Sequence, residues 1–301
     1  MDTIESFHGD PKIILDPQRH TDGVRAFMDY FGLPHKEPGL RFLEEILVQF
    51  SKIPYENISK IIKLNNLWDA ETKIRFPEEI IDDHISYRLG GTCFSLTFFL
   101  QTILTLNGLC CYPVMADMRA GRNIHCCVVA MLGNSKYLID PGYLLHKPME
   151  IHSEKPRFYR TEFHGIELRF DSDTQYYNLF TFDEKETKWR YRFQDMPTPP
   201  EEFLKHWYAS FWKPTLHGIL LTKVTQEGLI YVHKTFMRET TFQGKRNINI
   251  KKNYHAVIND VFGIDPRVLE QGQAALEENL TKERAIGLFP KKVGGLRNET
   301  Q

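Results

Sequence analysis

Apolar residues recur with a helical period along the first third of the chain. Asp22–Phe31 predicts a short helix that Gly32 ends. Pro38 stands where a proline at the first position of a second helix belongs. The apolar positions of that second helix are Leu40, Leu43, Ile46, Leu47 and Phe50. Ile74–Asp83 predicts one or two further helical turns, so this part of the chain is expected to be helical.

A glycine-rich loop then precedes a long apolar run. Gly90-Gly91-Thr92 leads into Cys93, and the run Phe94–Leu106 ends near Asn107, just before Gly108. Glycines before an apolar run and a glycine after it are typical of a tight turn, a helix and its end. The pattern therefore predicts a buried helix that opens at Cys93.

After Gly108 the apolar period changes to that of short strands. Turn signals at Gly121 and at Gly133-Asn134 separate the first of them. The predicted strands are Cys111–Met118, Ile124–Leu132, Lys136–Asp140, Phe158–Phe163, Glu167–Phe170 and Lys188–Phe193. This region is expected to form an antiparallel sheet.

The proline-rich segment 196–200 is the clearest internal boundary. A helix is predicted after it at Glu201–Phe211, followed by an antiparallel meander and two more helices. The meander strands are Ile219–Val224, Leu229–Phe236 and Arg238–Phe242, and the helices are Tyr254–Val261 and Pro266–Leu280. Helices followed by strands and then a mixed region indicate an α+β protein rather than alternating βαβ units.

The composition is that of a globular protein with a hydrophobic core, and it indicates no macromolecular partner. The chain has 301 residues, of which 42% are hydrophobic, enough for a real core, and its formal net charge is −1. This charge gives no reason to expect nucleic acid or a membrane surface as a partner. The basic stretches Lys245–Lys252 and Lys291–Arg297 are interpreted as a solvated face and a chain end.

The cysteines favour a reducing, cytoplasmic location. No run approaches the roughly 18 apolar residues of a membrane-spanning helix, and the N-terminal residues have no apolar signal-peptide core. Four of the five cysteines form the vicinal pairs Cys110-Cys111 and Cys126-Cys127. Neighbours in a strand point to opposite faces, so neither pair is placed to form its own disulfide.

Cys93 has the position of a reactive thiol. A cysteine nucleophile needs thiolate character, an adjacent base and a group that orients the base. The predicted helix start at Cys93 offers free N–H groups and a partial positive charge, which lower the pKa of a thiol and can hold an oxyanion. Gly90 and Gly91 would also allow a substrate to approach the backbone closely.

His125 and Asp140 supply the base and the orienting group through strand register. If a two-residue turn at Gly133-Asn134 joins their strands, Leu132 pairs with Ser135, and the same register brings Cys127 opposite Asp140. His125 then shares a face with Asp140 as a diagonal neighbour. We therefore predict a Cys93-His125-Asp140 triad, and a register shift of one residue would break it.

Structural readings of the same residues remain open. Cys93 fits a buried core position, His125 a hydrogen-bonded core histidine, and Asp140-Pro141-Gly142 a simple turn. The other four cysteines are interpreted as packing residues in strands. The sequence has no C-x-x-C spacing, so no metal site is expected.

Around these residues the chain resembles the arylamine N-acetyltransferases. The segment 89–97 (LGGTCFSLT) stands in the place of the family motif Arg-Gly-Gly-x-Cys-x-Glu-x-Asn. The segment 54–57 (PYEN) is similar to the family's Pro-Phe-Glu-Asn, and 137–144 (YLIDPGYL) to its Tyr-Leu-Val-Asp-Val-Gly-Phe-Gly. Further matches lie at 206–208 and 262–264, and the resemblance covers about residues 24 to 265.

The resemblance implies a fold and a reaction. The fold would be a helical bundle (1–109) carrying the nucleophile, a β-barrel (110–198) carrying the histidine and aspartate, and an α/β lid (199–301), with a papain-like triad core. The reaction would be ping-pong acyl transfer, in which acetyl-CoA or another acyl-CoA is a co-substrate and no cofactor is tightly bound. The residues expected at the substrate and CoA site are Gly91, Thr92, Gly142 and Tyr143.

Several positions depart from the family pattern. Leu89 replaces its arginine, Ser95 its glutamate and Thr97 its asparagine, while Leu144 replaces the second glycine after the aspartate. The segment Ser210-Phe211 also differs from the family's Ser-Thr. Two alternatives to an N-acyltransferase therefore stay open. One is another Cys-His-Asp thiol enzyme, such as an amide synthase, a transglutaminase-like enzyme or a peptidase, and the other is a non-catalytic binding protein.

Overall fold

The computed structural model describes residues 9–66, 73–143, 147–213 and 216–285. Its helices are α1 (Pro11–Ile14), α2 (Thr21–Tyr30), α3 (Leu40–Phe50), α4 (Ile58–Asn66), α5 (Pro77–Tyr87), α6 (Cys93–Leu106), α7 (Pro200–Ala209), α8 (Tyr254–Phe262) and α9 (Pro266–Ala285). Its strands are β1 (Tyr55–Glu56), β2 (Cys110–Met118), β3 (Gly121–Leu132), β4 (Ser135–Ile139), β5 (Met149–Glu150), β6 (Arg157–Arg160), β7 (Gly165–Asp171), β8 (Tyr176–Phe182), β9 (Thr187–Phe193), β10 (Leu220–Val224), β11 (Leu229–His233), β12 (Phe236–Thr241) and β13 (Gly244–Asn249). None of the described helices is long and apolar enough to cross a membrane.

The N-terminal helices share one apolar core around α6. Phe27 of α2 meets Phe99 of α6 with ring centroids 5.7 Å apart, and both rings also contact Phe50 of α3. Helix α6 is buried along most of its length, from Cys93 to Leu104. The predicted buried helix opening at Cys93 is therefore confirmed, and it forms the centre of this layer.

Two predicted helix starts in this region are wrong. Helix α3 begins at Leu40, and Gly39 is its N-cap in an extended conformation, so Pro38 lies outside the helix. The segment predicted as helix at Ile74–Asp83 becomes helical only at Pro77. Phe76 is extended because the residue before a proline is forced out of the helical region, and Pro77 takes the first helical position.

The central strands form an eight-stranded antiparallel sheet that curls into a nearly closed barrel. Its strand order is β5-β4-β3-β2-β9-β8-β7-β6. The sequence analysis missed β8, in which Tyr177, Leu179 and Thr181 are buried in alternation. Aromatic residues lie on both faces of β8, so its hydrophobic pattern does not alternate clearly. The α+β class predicted from the sequence is confirmed.

The hairpin of β3 and β4 has the predicted register. Leu132 pairs with Ser135, and Val129 pairs with Leu138. The turn between them includes Gly133 at φ +59°, a conformation that glycine adopts without strain. This register fixes which residues of β3 share a face with Asp140, directly after β4.

In the C-terminal meander one strand break lies earlier than predicted, and an additional strand, β13, follows the predicted ones. The predicted strand Leu229–Phe236 is divided by a turn at Lys234, whose φ is +56°, so that β11 and β12 pair as a hairpin. Strand β13 lies in the basic segment interpreted as a solvated face. Its residues are mostly exposed, as expected of the edge strand it forms.

A short N-terminal segment belongs to the C-terminal sheet. Strand β1 pairs with β10, and the strand order of the sheet is β1-β10-β11-β12-β13. Helix α4 follows directly and packs against α9, with Ile58 and Leu269 in one apolar cluster. The division at 109/110 and 198/199 stays a prediction, and residues 55–66 connect its first and third parts.

Candidate active site

Cys93 is the first residue of α6 and is largely buried, with 8% of its surface exposed. Thr92 caps the helix: its N–H donates to Oγ of Ser95 at 3.1 Å, and the Ser95 hydroxyl donates to the Thr92 carbonyl at 3.0 Å. A capping box of this kind fixes the direction in which a helix starts. The sequence Thr-Cys-Phe-Ser therefore sets the position of the thiol.

A buried ion pair holds the loop before Cys93. The guanidinium of Arg75 donates to the carbonyl of Gly90 and to Oγ of Ser59, the latter at 2.7 Å, and lies 3.5 Å from Oε1 of Glu56. Glu56 in turn accepts the N–H of Gly90 at 3.3 Å. In the family motif an arginine stands at the position of Leu89. In this chain Arg75, from another segment, supplies a guanidinium to the same loop.

The two glycines of the loop are required by packing. A Cβ at Gly90 would lie 1.9 Å from the carbonyl oxygen of Pro54, and one at Gly91 would lie 2.4 Å from Oγ of Ser95. Gly91 also forms a bridge with Tyr55, and its carbonyl accepts the N–H of Glu56 at 3.0 Å. The loop is therefore pressed against β1 on one side and the helix cap on the other.

His125 and Asp140 lie in direct contact. Both carboxylate oxygens of Asp140 are 3.1 Å from Nε2 of His125, and Asp140 is completely buried. A carboxylate only accepts hydrogen bonds, so the ring proton resides on Nε2 and Nδ1 is the nitrogen left to face a thiol. The diagonal arrangement inferred from the strand register is thus present.

Gly142 completes the turn beside this pair. Its N–H donates to Oδ1 of Asp140 at 2.9 Å, and a Cβ in its place would lie 2.6 Å from Cε1 of His125. The backbone of Tyr143 lies in the same helical turn, Pro141–Tyr143. Of the residues predicted for substrate and CoA, Gly142 therefore lies at the histidine, whereas Gly91 and Thr92 shape the loop of the nucleophile.

The surroundings of Cys93 favour its thiolate. A hydrogen bond from Cys126 lowers the pKa of Cys93 and burial raises it. A hydrogen bond from His125, the charge of His125 and the charge of Lys60 lower it further. The balance leaves the pKa of Cys93 well below the ordinary value of a thiol. Charge and hydrogen bonding together outweigh desolvation here.

His125 is correspondingly held as a cation. Burial lowers the pKa of His125, but the charge of Asp140 and the hydrogen bonds of His125 with Asp140 and Cys127 outweigh burial and raise this pKa well above its usual range. Burial also raises the pKa of Cys127 to about 11, so this neighbour stays a thiol. These shifts favour a thiolate on Cys93, an imidazolium on His125 and neutral thiols on Cys126 and Cys127.

His125, Cys127 and Asp140 are also close enough together to bind one metal ion. Possible ligand atoms of His125, Cys127 and Asp140 lie within 4.8 Å of one another, the one such cluster found within the described ranges. His125 and Asp140 already satisfy each other by hydrogen bonding, and Cys127 is kept protonated. The hydrogen bonds of this cluster include those of a histidine-carboxylate pair.

A cleft of about 390 Å³ runs from Gly142 between the barrel and the C-terminal sheet. Basic side chains line it from both sides, including Arg190 on β9 and Arg238 on β12. Neither arginine forms an ion pair with a carboxylate among the described residues. Arg190 donates to Oγ1 of Thr181 at 2.6 Å, and Arg238 donates to Oδ1 of Asn247 at 2.9 Å. Asp183 and Glu186 also line the cleft, and both pair with Lys245. The two arginines therefore stay available for a ligand that carries negative charge.

Sequence reasoning missed three residues of the site. Arg75 comes from a segment predicted only as helix, Lys60 lies on a helix that was not predicted, and Cys126 was interpreted as a packing residue. None of the three carries a local motif, because each reaches Cys93 or its loop through the tertiary fold. The one available signal was the position of Cys126 directly after the predicted base.

The positions that depart from the family pattern have ordinary packing roles. Leu89 lies in the apolar cluster of the C-terminal lobe, and Ser95 caps α6. Thr97 donates to the carbonyl of Cys126 at 3.2 Å and so fixes β3 against α6. Leu144 lies outside the described residues.

Comparison with protein families shows to which family the chain belongs. Residues 39–269 match the family model described as N-acetyltransferase. The chain belongs to the arylamine N-acetyltransferase family. Members of this family are acyltransferases, so the predicted enzyme class is confirmed. Comparison with curated proteins gave no match.

Solved structures of arylamine N-acetyltransferases share the fold at low sequence identity. The enzyme from Mycobacterium abscessus is 14% identical with a TM-score of 0.71, covering 87% of this chain and 97% of its own. Enzyme C from Bacillus anthracis is 20% identical with a TM-score of 0.64, covering 81% and 99%. An enzyme from Bacillus cereus, described as having a unique Cys-His-Glu catalytic triad, is 18% identical with a TM-score of 0.62, covering 81% and 98%.

Proposed function

We propose that this member of the arylamine N-acetyltransferase family is an acyl-CoA-dependent N-acyltransferase that works through a thioester on Cys93. The acyl group is most simply acetyl, and the acceptor is an arylamine or a related amine. Cys93, His125 and Asp140 are the proposed triad. The observation that carries the proposal is the contact of His125 with Asp140 through Nε2. A hydrogen bond between His125 and Cys93, which lowers the pKa of the thiol, supports it.

In the first half of the reaction, the Cys93 thiolate attacks the carbonyl carbon of the acyl-CoA thioester. The bond from carbon to Sγ forms and the bond to the sulfur of CoA breaks. The imidazolium of His125 gives its proton to the departing CoA thiolate. The N–H groups of the first turn of α6 are placed to hold the oxyanion that develops between these events.

In the second half, the amine attacks the thioester carbon and neutral His125 accepts its proton. The carbon–nitrogen bond forms, the bond to Sγ breaks, and the thiolate–imidazolium pair is restored. Asp140 holds the imidazole in one tautomer and stabilises its charged form throughout, without itself taking the proton. His125 thus donates a proton in the first half of the cycle and accepts one in the second.

The cleft beside Gly142 is the proposed path for the acyl-CoA. It begins at the turn that carries Asp140, and Arg190 and Arg238 offer cations without carboxylate partners among the described residues. Guanidinium groups are well suited to phosphate oxygens.

The free state of all five cysteines supports a reducing compartment such as the cytoplasm.

Intact-protein mass spectrometry after brief mixing with acetyl-CoA, without an amine, tests this function. We expect the mass to rise by one acetyl group, and peptide mapping to place that group on Cys93. Cys93→Ser is the control and should show no thioester. Addition of an arylamine should remove the adduct and yield the N-acetyl product.

The same experiment separates the alternatives. If no acyl-CoA from a panel of chain lengths acylates Cys93, while an amide or peptide donor does, the chain is a different thiol enzyme. If no donor acylates Cys93 and iodoacetamide does not modify it preferentially, the chain is a binding protein on this fold. Acetylation that maps to the exposed Cys110 would contradict the assignment of the nucleophile.

A further inference from the structure

Lys60 is a buried cation that the proposed reaction does not use. It lies in the first turn of α4 with 6% of its surface exposed. A charged group is seldom buried to this degree unless an anion or several hydrogen bonds compensate for the lost hydration. The partners of Lys60 therefore indicate why the fold keeps it.

Arg75 shows how this fold compensates a buried cation elsewhere. Its guanidinium, 3% exposed, forms ion pairs with Glu56, Glu79 and Asp83. Lys60 has no carboxylate partner among the described residues. It donates to Oγ of Ser210 at 2.5 Å and lies 4.5 Å from the ring centroid of Phe211. A neutral hydroxyl and an aromatic face leave its positive charge without a counter-ion.

The aromatic ring beside the ammonium belongs to the apolar cluster that contains the nucleophile. Ser210 and Phe211 follow the end of α7, where the helix dipole favours a cation. Phe211 packs in the same apolar cluster as Cys93 and Cys126. The groups of this cluster able to become anions are the thiols of Cys93 and Cys126 and the phenol of Tyr55, and burial raises the pKa of the phenol. The ammonium and the proposed nucleophile thus share one water-poor environment, in which charges act strongly on each other.

We propose that Lys60 is a positioning residue for the nucleophile, whose buried ammonium stabilises the Cys93 thiolate as a second cation beside the imidazolium of His125. The inference rests on the proposed thiol chemistry of Cys93. It adds a group from α4 that belongs to neither the triad nor the loop around it.

The titration behaviour of the cluster agrees with this geometry. Burial lowers the pKa of Lys60 to about 8, while Cys93 and Cys126 oppose that effect. Lys60 is therefore charged at neutral pH. The other ionisable groups that face Cys93 are His125 and Cys126 on β3 and Tyr55 on β1.

The second cation has a consequence during the reaction. When Cys93 carries an acyl group, the thiolate charge is gone and Lys60 loses its counter-ion. The ammonium then favours return of the thiolate, which is the leaving group of the second half-reaction. Lys60 thus assists thiolate formation in both halves without touching the acyl group.

The test is the pH dependence of Cys93 alkylation by iodoacetamide, followed by peptide mapping in the full-length protein. In Lys60→Met we expect the apparent pKa of Cys93 to rise by about one unit, so that alkylation at pH values below this pKa slows by up to roughly tenfold. Lys60→Arg keeps the charge and should retain most of the wild-type rate. A role in packing alone would leave the pH profile of the thiol unchanged.

Lys73→Met is the matched control. Lys73 is also buried, at 5% exposure, and lies over the rings of Tyr208 and Trp212, so its loss disturbs the same segment of chain. Lys73 is not among the groups that most affect the pKa of Cys93, whereas Lys60 is. Lys73→Met should therefore keep the wild-type profile, even if its melting temperature falls.

A measurement on the unmutated protein covers the case in which Lys60→Met does not fold. The side-chain titration of Lys60 can be followed by carbon NMR before and after Cys93 is alkylated. Because linkage is reciprocal, removal of the thiolate should lower the pKa of Lys60. The inference is overturned if this pKa does not change, or if the alkylation profile of folded Lys60→Met matches wild type. If Cys93 is unreactive in the wild-type protein, the proposed function fails instead.

Discussion

Both oxygens of the Asp140 carboxylate lie 3.1 Å from Nε2 of His125. This symmetrical contact, inside a barrel wall and without solvent, leaves the imidazole one orientation. The N–H of Gly142 donates a hydrogen bond to Oδ1 of Asp140 and so helps to fix the carboxylate. The orientation of the base therefore depends on one carboxylate and on the turn that carries it.

Asp140→Asn should keep the fold and remove most of the activity. Asparagine can still accept the Gly142 N–H, but it lacks the charge that raises the pKa of His125. We expect acetyl transfer to fall by up to about 10⁴-fold, the scale known for triad carboxylates. Steady-state kinetics and thermal melting measure the two effects.

Asp117→Asn is the control for that experiment. Asp117 is also a buried aspartate in the barrel, where it pairs with Arg192 at 3.2 Å. Its replacement should affect stability and leave turnover near wild type. Equal losses of activity in the two variants would reduce Asp140 to a structural turn residue.

Gly142→Ala should impair catalysis with little effect on overall stability. The added Cβ would lie 2.6 Å from Cε1 of His125 and 3.1 Å from Oδ1 of Asp140, so the imidazole must shift. Because a misplacement of about 1 Å can cost roughly 10²-fold in rate, we expect a loss of about that size. Gly244→Ala, where a Cβ meets nothing within 4 Å, is the matched control. Unchanged turnover in Gly142→Ala would show that the turn tolerates the methyl group without moving the base.

Arg75→Met should strongly destabilise the protein. It leaves Glu56, which is completely buried, without its cation, and breaking a buried pair in this way costs about 3–5 kcal/mol. The double variant Arg75→Met with Glu56→Gln should recover part of the loss. Urea unfolding of the single and double variants gives the coupling energy.

Arg192→Met is the comparison for Arg75→Met, because it shows how much stability is lost when a less buried ion pair is broken. The Arg192 side chain is 34% exposed, and such pairs contribute about 0–1 kcal/mol. A loss in Arg75→Met no larger than that of Arg192→Met would contradict the role assigned to the ion pair beneath the Gly90 loop.

Stability should fall as the pH drops from 6.5 toward 4. Burial lowers the pKa of His84 to about 4, although its hydrogen bond to the Leu89 carbonyl opposes this. In that range the unfolded chain binds a proton at His84 and the folded chain does not. Acid therefore favours unfolding, by up to about 3 kcal/mol from this residue.

His84→Gln retains a donor for the Leu89 carbonyl but does not titrate. Its unfolding free energy should depend less on pH between 6.5 and 4.5 than that of the wild type, as measured by urea unfolding at both values. His255→Gln changes an exposed histidine and should behave as the wild type does. Identical pH slopes for His84→Gln and the wild type would exclude His84 as a source of acid sensitivity.

The elements that the sequence predicted well are those whose signal is local. Cys93 could be placed at a helix start because the glycines and the apolar run adjoin it, and the contact of His125 with Asp140 followed from a two-residue turn. Lys60 and Arg75 had no such signal. Lys60 reaches the thiol from a helix 33 positions earlier in the chain, and only tertiary packing brings them together.

Strand β1 is two residues long, but it joins two distant parts of the chain. The carbonyl of Gly91 accepts the N–H of Glu56, and the side chain of Asn57 bonds Gly218 and Leu220 at 2.8 Å each. These hydrogen bonds therefore tie the loop before the nucleophile to the C-terminal sheet. In amide hydrogen exchange these segments would be protected as one cooperative unit. A ribosome must consequently release residues beyond 220 before the loop of Cys93 can reach its final form, so the enzyme gains its thiol chemistry only late in synthesis.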